Sequence, residues 1–319
     1  MASLSEHHIL VLGWPHAPQE WLKDYPYAAA SRIHREKISS FEKRLKNISF
    51  HTPTWLWSIP SLSPQFWYED WKNSVDSYDT IILINEIRGR DIFEYILDKN
   101  PKCRMCVFYD SPITPGEKRD PSLYSDLPIH FFTCDRKIAS QYNITFIPYF
   151  YIFSPYSFNT YEETAPYNEQ TDVFFVGEEK GDRAAQIAKI SSILDEAGLT
   201  HDLRLIPQKR HSSRAVKNSY LSYDKVIERI KGSRAILELI SDGQTGLTQR
   251  PYESLFFKKK LITTSSEITT YDFYHPENVF LLHEQPINEL PNFLKTPFVP
   301  IPKEITEQYD FPHWLERFI

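Results

Sequence analysis

The sequence predicts an α/β protein built as two consecutive units, each on a mostly parallel sheet covered by helices. Three observations carry this. Short apolar runs alternate with helical stretches through the first half, which argues for strands joined by helical crossovers. The same alternation begins afresh near residue 172. The chain has 319 residues, about twice the usual size of one domain, and ample length for a sizeable core.

Each element follows from its local pattern. Residues 8–12 form a short apolar run closed by Gly13, a buried-strand pattern. Residues 20–46 carry Lys, Glu and Arg throughout and read as largely helical, with Pro26 interrupting or opening a helix. Residues 48–57 read as strand. Thr80-Ile81-Ile82-Leu83-Ile84-Asn85 is the clearest buried strand, and it leads into an amphipathic helix over 90–99 that ends before Pro101. A strand over 103–109 stops at Asp110-Ser111-Pro112, followed by a loop over 112–127. Residues 129–133 and 136–142 read as strand and helix, and 144–152 as a strand or extended segment. The stretch 153–171 is rich in Tyr, Ser, Asn, Thr and Glu without a period, and is the expected connector.

The second set starts with a strand over 172–176, closed by Gly177. Ala184, Ile187, Ala188, Ile190 and Leu194 make 182–198 helical, with Gly198 suited to the helix end. Residues 202–206 are a strand stopped by Pro207. A helix over 223–231 and a strand over 235–240 follow. Pro251 lies in the first turn of a short helix over 251–259, and 261–264 and 279–282 are strands. Five prolines make 285–303 extended and non-helical. Residues 304–319, with Tyr309, Phe311, Trp314, Leu315, Phe318 and Ile319, read as a helix docked on the globule.

Composition narrows the function. Net charge is −6, which weighs against a general nucleic-acid or anionic-membrane binder while leaving room for a local anion pocket. No apolar run approaches the roughly 18–20 residues of a spanning helix. Residues 1–8 lack a basic segment followed by an apolar stretch, so a cytoplasmic protein is expected. Cys103, Cys106 and Cys134 are read as reduced thiols. Cys103-x-x-Cys106 has no second pair at zinc spacing, and His7-His8 is read as structural or disordered, so no metal is expected. There is no Gly-Lys-Ser/Thr phosphate loop, no Gly-x-Gly-x-x-Gly, no Gly-x-Ser-x-Gly and no Asp-x-Asp.

In parallel sheets ligands sit at the carboxyl ends of strands. Ser241-Asp242-Gly243-Gln244-Thr245-Gly246-Leu247-Thr248-Gln249-Arg250-Pro251-Tyr252-Glu253 lies there, between a strand and a helix. Backbone N–H groups and the positive helix end favour an anion, and the planar Arg250 fork suits phosphate oxygens. Glu253 in the first turn has the chemistry to accept from a vicinal diol. Val176-Gly177-Glu178-Glu179-Lys180-Gly181-Asp182-Arg183 is a second such junction. Ordinary helix-opening turns have the same look. His16, Glu86 and Asp110 are strand-end candidates for deprotonating an acceptor hydroxyl. Turn capping is the alternative use of such groups, notably for Asp110 before Ser111-Pro112.

The stretches TDVFFVGEEKGDR (171–183) and SYDKVIERIKGSRAILELISDGQTGLTQRPYESLFFKKKLITTSSEITTYDFYHPENVFLL (222–282) resemble the donor-binding half of bacterial glycosyltransferases that build lipopolysaccharide core, O-antigen or capsule. CVFYDSPI (106–113) and FFTCDRKIASQYNITFIPYFY (131–151) are similar to that group too. The resemblance covers most of the chain beyond about residue 80. It implies a GT-B fold: two facing Rossmann-like domains, 1–160 for the acceptor and 161–303 for the nucleotide-sugar, with an interdomain cleft and a segment 304–319 packing back on the first. It further implies a nucleotide-sugar co-substrate, no cofactor or essential metal, and a saccharide or lipid-linked saccharide acceptor. Peripheral contact with the inner face of the cell membrane fits such an acceptor.

Under that resemblance Gly177, Gln244, Gly246, Leu247 and Thr248 line the donor, Arg250 and Arg183 neutralise the leaving phosphate, and Glu253 holds the ribose. The base is open among Asp110, Glu86 and His16, in that order. Two other readings stand beside the transferase: a non-catalytic nucleotide- or glycan-binding module on this fold, and a nucleotide-sugar epimerase of related fold. The aromatic cluster Trp55, Trp57, Phe66, Trp67, Tyr68 and Trp71 is expected chiefly to pack, with contact to lipid or sugar as the alternative.

Overall fold

A computed structural model describes residues 4–13, 22, 25–85, 87–152, 170–207, 221–240 and 245–319. The chain divides into two compact units. One holds Met1–Tyr149 with Pro312–Ile319, the other Phe150–Phe311. The sequence reading placed these divisions at 160 and 303, and the expected connector falls largely outside the described residues.

The first unit is a six-stranded parallel sheet. Its strands are β1 (Ile9–Leu12), β2 (Ala28–Ser31), β3 (Thr80–Ile84), β4 (Arg104–Tyr109), β5 (Ile129–Thr133) and β6 (Thr145–Phe146), in spatial order β2-β1-β3-β4-β5-β6. A parallel sheet is covered on both faces, so its strands read as unbroken apolar runs. All of Ile9–Leu12 and Thr80–Ile84 is buried accordingly. Helices α1 (Ser40–Ser49), α2 (Asp91–Lys99) and α3 (Arg136–Tyr142) belong to this unit. Ser39 and Glu42 form a reciprocal capping box at the start of α1, satisfying backbone donors that a helix leaves open. Asp135 caps α3 by accepting from the amides of Lys137 and Ile138.

Residues 312–319 complete this unit. The Trp314 ring packs edge-on against Phe108, and Phe318 against Phe132. The Arg104 guanidinium donates to the Phe318 carbonyl at 2.6 Å.

The second unit is a five-stranded parallel sheet: β7 (Thr171–Glu178), β8 (His201–Ile206), β9 (Ser233–Glu238), β10 (Lys260–Thr263) and β11 (Val279–Leu281), in order β11-β10-β9-β7-β8. Its helices include α4 (Arg183–Glu196), α5 (Tyr223–Lys231), α6 (Gln249–Phe257), α7 (Leu290–Lys295) and α8 (Lys303–Glu307). A further helix, α9 (Phe311–Glu316), begins at the last residue of this unit. Core packing joins Val173 and Phe175 of β7, Leu194 of α4, Leu237 of β9 and Leu290 of α7.

Four expectations need correction. Residues 20–46 hold strand β2, and among the described residues there the α-helix starts only at Ser40. Residues 48–57 are the end of α1 and a 3-10 turn at Thr54–Leu56 rather than a strand. The Ser39 cap sets the start of α1, which runs to Ser49, and Pro53, lacking an N–H, opens the turn. Only Thr145–Phe146 of 144–152 is strand. Residues 285–303 contain a 3-10 turn at Ile287–Glu289 and α7. Pro291 sits in the first turn of α7, where a missing N–H costs nothing.

Candidate functional site

In each sheet the chain steps first to one side of the opening strand and then to the other. In the second unit β7 lies between β8 and β9. Chains that leave the ends of β7 and β9 therefore diverge, which opens a crevice at the carboxyl ends of the strands. The segment after β7 leads into α4 with Arg183; the segment after β9 leads into α6 with Arg250.

The two arginines cross-brace this point. Arg183 donates from Nη1 to the Glu178 carbonyl at the end of β7, at 2.9 Å. Its Nη2 donates to the Leu239 carbonyl just past β9, at 2.5 Å. Arg250 donates to the Glu253 carboxylate and reaches the Val176 carbonyl of β7 at 3.4 Å. Its side chain is 21% exposed and Glu253 is fully buried. Loss of solvation acts to lower the Arg250 pKa, but the Glu253 charge and hydrogen bond act against it, and the net direction is up. Other donors of the Arg250 fork are uncommitted among the described residues.

Thr248 starts α6. Its hydroxyl accepts from the Arg250 amide at 3.2 Å and donates to the buried Glu238 carboxylate. The other Glu238 oxygen accepts from Thr263 Oγ1 at 2.5 Å. Burial pushes the Glu238 carboxyl up, while both hydroxyls and Arg250 pull it down. The helix N-terminus is thus held by a cap whose own hydroxyl is fixed from below, and the first-turn amides of a helix lack intrahelical acceptors.

The Glu253 carboxylate has both oxygens engaged. One takes Arg250 and the other accepts from Tyr223 Oη at 2.7 Å. Tyr223 also receives a bond from Gln249 Nε2 at 2.8 Å and lies 3.1 Å from the Tyr151 hydroxyl. The expectation that Glu253 faces a ribose diol does not fit this enclosure. Arg183 likewise grips backbone carbonyls rather than presenting its terminal nitrogens outward.

The other expected donor residues fall as follows. Gly246 is half-buried and Leu247 is buried. Gly177 lies inside β7 rather than closing it. A Cβ there would come 2.8 Å from the Phe175 ring, so its bareness answers to that ring. Gln244 lies outside the described residues, as do His16 and Glu86. Tyr151, Tyr223, Glu238 and Thr263 escaped the sequence reading; most of their partners lie 25 or more residues away along the chain.

Asp110 follows β4 in the first unit, one strand beyond the switch between β1 and β3. Asn85, just after β3, adopts φ +54°. Its side-chain amide donates to the Asp110 carboxylate, and its carbonyl accepts from the Asp110 amide at 3.0 Å and the Ser111 hydroxyl at 3.2 Å. Arg119 Nη1 donates to Ser111 Oγ at 2.9 Å. Asp110 keeps an exposed edge. Loss of solvation raises its carboxyl above the ordinary value, with Asn85 and Arg119 pulling the other way.

The three cysteines are buried free thiols. Burial pushes Cys103 up to about 11 and Cys106 up to about 12, which leaves both as inert core residues. Among the described residues no group of three His, Cys, Asp or Glu is placed to hold a metal ion, and no helix is long and apolar enough to cross a membrane.

No family model matches the chain, and no curated protein matches it by sequence. Among solved structures, TarM is 10% identical at a TM-score of 0.47, over 75% of this chain and 54% of its own. The chain thus spans about half of TarM. The apo form of WaaB, a lipopolysaccharide outer core galactosyltransferase, is 14% identical at a TM-score of 0.41, over 98% of this chain and 95% of its own. D-lactate dehydrogenase from Escherichia coli is 10% identical at 0.23, over 81% of this chain and 74% of its own. The fold rests on the two parallel sheets themselves, not on these likenesses.

Proposed function

We propose that this chain is a GT-B glycosyltransferase that moves a sugar from a nucleotide-sugar donor to an acceptor hydroxyl. The observation that carries the reading is the pair of arginines bracing the switch point of the second sheet beside the capped start of α6. A glycosyl donor needs this chemistry. As the bond to the sugar breaks, the anomeric carbon becomes cationic and negative charge grows on the departing phosphate. Donors fixed in advance around that charge lower the barrier without reorganising.

Arg250 meets the phosphate together with the Gln249 amide at the start of α6, since Pro251 has no N–H and the Arg250 amide is held by Thr248. Arg183 keeps the two strand ends at a fixed separation and adds positive potential. Glu253, Tyr223 and Tyr151 orient the Arg250 fork. Thr248, anchored on Glu238, fixes the start of α6 and with it the place of Arg250. In the first unit Asp110 supplies the base, with Asn85 aiming the carboxylate and lost solvation raising its proton affinity above that of an ordinary aspartate. Gly177, Gly246 and Leu247 shape the walls of the donor seat. A saccharide of a bacterial surface glycan, free or lipid-linked, is the acceptor class, and arginine charge stands where other transferases use a divalent metal.

The test is thermal unfolding with UDP, GDP, CMP and dTDP compounds, with and without magnesium. One nucleotide should raise the melting temperature, without a magnesium requirement, and Arg250→Ala should abolish the rise. No shift with any nucleotide refutes the reading. A shift without sugar transfer to any acceptor glycan makes the protein a binding module instead.

A further inference from the structure

We propose that Arg119 is a positioning residue for Asp110 and acts through the Ser111 hydroxyl and the Asn85 amide. The role of Asp110 as a base rests on the transferase reading, whereas the wiring around it does not.

The protons of this group have one consistent arrangement. Asn85 Oδ1 accepts twice, from the Asp110 amide at 3.0 Å and from the Ser111 hydroxyl at 3.2 Å. An amide side chain has one oxygen and one NH2, so Nδ2 is left to face the Asp110 carboxylate, to which it donates. Arg119 Nη1 donates to Ser111 Oγ at 2.9 Å, and a guanidinium cannot accept in return. The single Ser111 proton therefore goes to Asn85. Each donor in the series Arg119, Ser111, Asn85 points toward Asp110. Hydrogen bonds aligned head to tail polarise one another, so the charge at one end strengthens the bond that the carboxylate receives at the other.

Both ends of the series are fixed. Asn85 adopts its left-handed φ of +54°, a region that asparagine enters more readily than most residues. Its own amide donates to the Phe108 carbonyl of β4 at 3.1 Å, so main chain and side chain both tie it to the strand that carries Asp110. Tyr109, fully buried at the end of β4, donates from its hydroxyl to the Arg119 carbonyl at 2.6 Å. Arg119 Nη2 donates to the Pro112 carbonyl and the Glu117 carboxylate, each at 2.8 Å. Both protons of that nitrogen are committed inside the loop, which turns Arg119 toward its neighbours rather than toward a ligand.

The surroundings of Asp110 give the series its purpose. Loss of solvation pushes the carboxyl up, with the Asn85 bond and the Arg119 charge pulling it down. Cys134, just after β5, and Tyr149 also face it. Burial first, and the Asp110 charge second, raise both, so neither supplies charge near neutral pH. Among the described residues Arg119 is the cation set against Asp110. A base must be ionised to take a proton. The series favours that form and leaves Asp110 Oδ2, which has no side-chain partner among the described residues, to receive the proton.

The full chain is labelled with 13Cγ-aspartate and titrated by NMR, with Asp110→Asn identifying the resonance. Arg119→Met removes the charge and the donor and should raise the Asp110 midpoint; Arg119→Lys should restore part of it. Ser111→Ala cuts the series while leaving Arg119 its bonds to Pro112 and Glu117. It should raise the midpoint too, and adding Arg119→Met should then raise it less than Arg119→Met does alone. Circular dichroism melting shows that the variants fold, and Ser111→Ala with Arg119→Lys carries the test if Arg119→Met does not. A midpoint unmoved by Ser111→Ala, or two changes that simply add, overturns the proposal. Sugar transfer separates it from the transferase reading. With Asp110 as base, Arg119→Met should transfer about tenfold more slowly on the acid limb and recover at higher pH, with the donor KM unchanged. If the midpoints move but Asp110→Asn transfers at the wild-type rate, the base assignment falls and the wiring stands. If Asp110→Asn stops transfer while Ser111→Ala leaves the midpoint in place, the wiring falls and the base stands.

Discussion

Arg250 and Glu253 form a charge pair at the edge of the protein interior, and the two residues have separable roles. On the proposed transferase reading, removing Arg250 takes away a preorganised donor to the leaving phosphate, so Arg250→Ala should lower the transfer rate by about 100- to 1,000-fold. Steady-state kinetics with the nucleotide-sugar found by thermal shift would show it. Arg250→Lys restores the charge but not the fork and should recover only part of the rate. Glu253→Gln distinguishes a counter-charge from a ribose ligand. As a counter-charge it should change pyrophosphate and nucleotide affinity alike in calorimetry. A loss confined to the nucleotide would return the carboxylate to the sugar hydroxyls. Asp110 carries a pH prediction. Its carboxyl is raised above the ordinary value by lost solvation, so activity should climb with pH through a limb displaced upward from that of a free aspartate. Asp110→Asn should remove the limb and most of the rate, whereas Asn85→Ala should move the limb.

Helix α6 depends on a cap that does two jobs. Thr248→Val removes the acceptor for the Arg250 amide and a donor to the buried Glu238, and should cost about 1–3 kcal/mol in urea unfolding. In the segment leading to α1, His34 is packed against Phe50 and Tyr68, with ring centroids 5.0 and 5.4 Å away. Burial, with Arg88 and Lys46, takes its imidazole from 6.5 down to about 3. Between those values the unfolded chain binds a proton that the folded one refuses. This contribution to stability is therefore whole above about pH 6.5 and drains away as pH falls toward 3. His34→Phe should lose less melting temperature than the wild type between neutral and mildly acid pH; an equal loss refutes the assignment. The elements of the second unit were legible in sequence because buried parallel strands are continuous apolar runs, as in β7 and β9. The stretch from β2 through Phe66 was not. Ala28–Ser31 is a weak strand by composition, and its edge position against β1 comes from a pairing that no local pattern records. The same division holds within the site. Thr248, Arg250 and Arg183 stand at strand–helix junctions and could be picked out locally. Tyr151 and Tyr223 meet across 72 residues, and Asn85 and Asp110 across 25, distances at which spacing carries no signal.

At the scale of the whole molecule, each unit keeps its own core and its own sheet, so a disturbance in one should be readable apart from the other. Trp314→Ala removes a fully buried ring from the first unit and should cost about 3–5 kcal/mol there. In calorimetry the first unit's transition should move down while the nucleotide-dependent shift of the second persists. A concerted fall of both transitions would show the units to be one cooperative system. The same eight residues, Pro312–Ile319, bear on the order of events during synthesis. Phe108 and Phe132 sit on strands made early, while the rings that cover them, Trp314 and Phe318, come off the ribosome only after every residue of the second unit. The nascent first sheet must therefore carry an uncovered apolar strip throughout translation of its neighbour. Chains stalled before residue 312 should bind chaperones through that strip and release them when the last segment is completed.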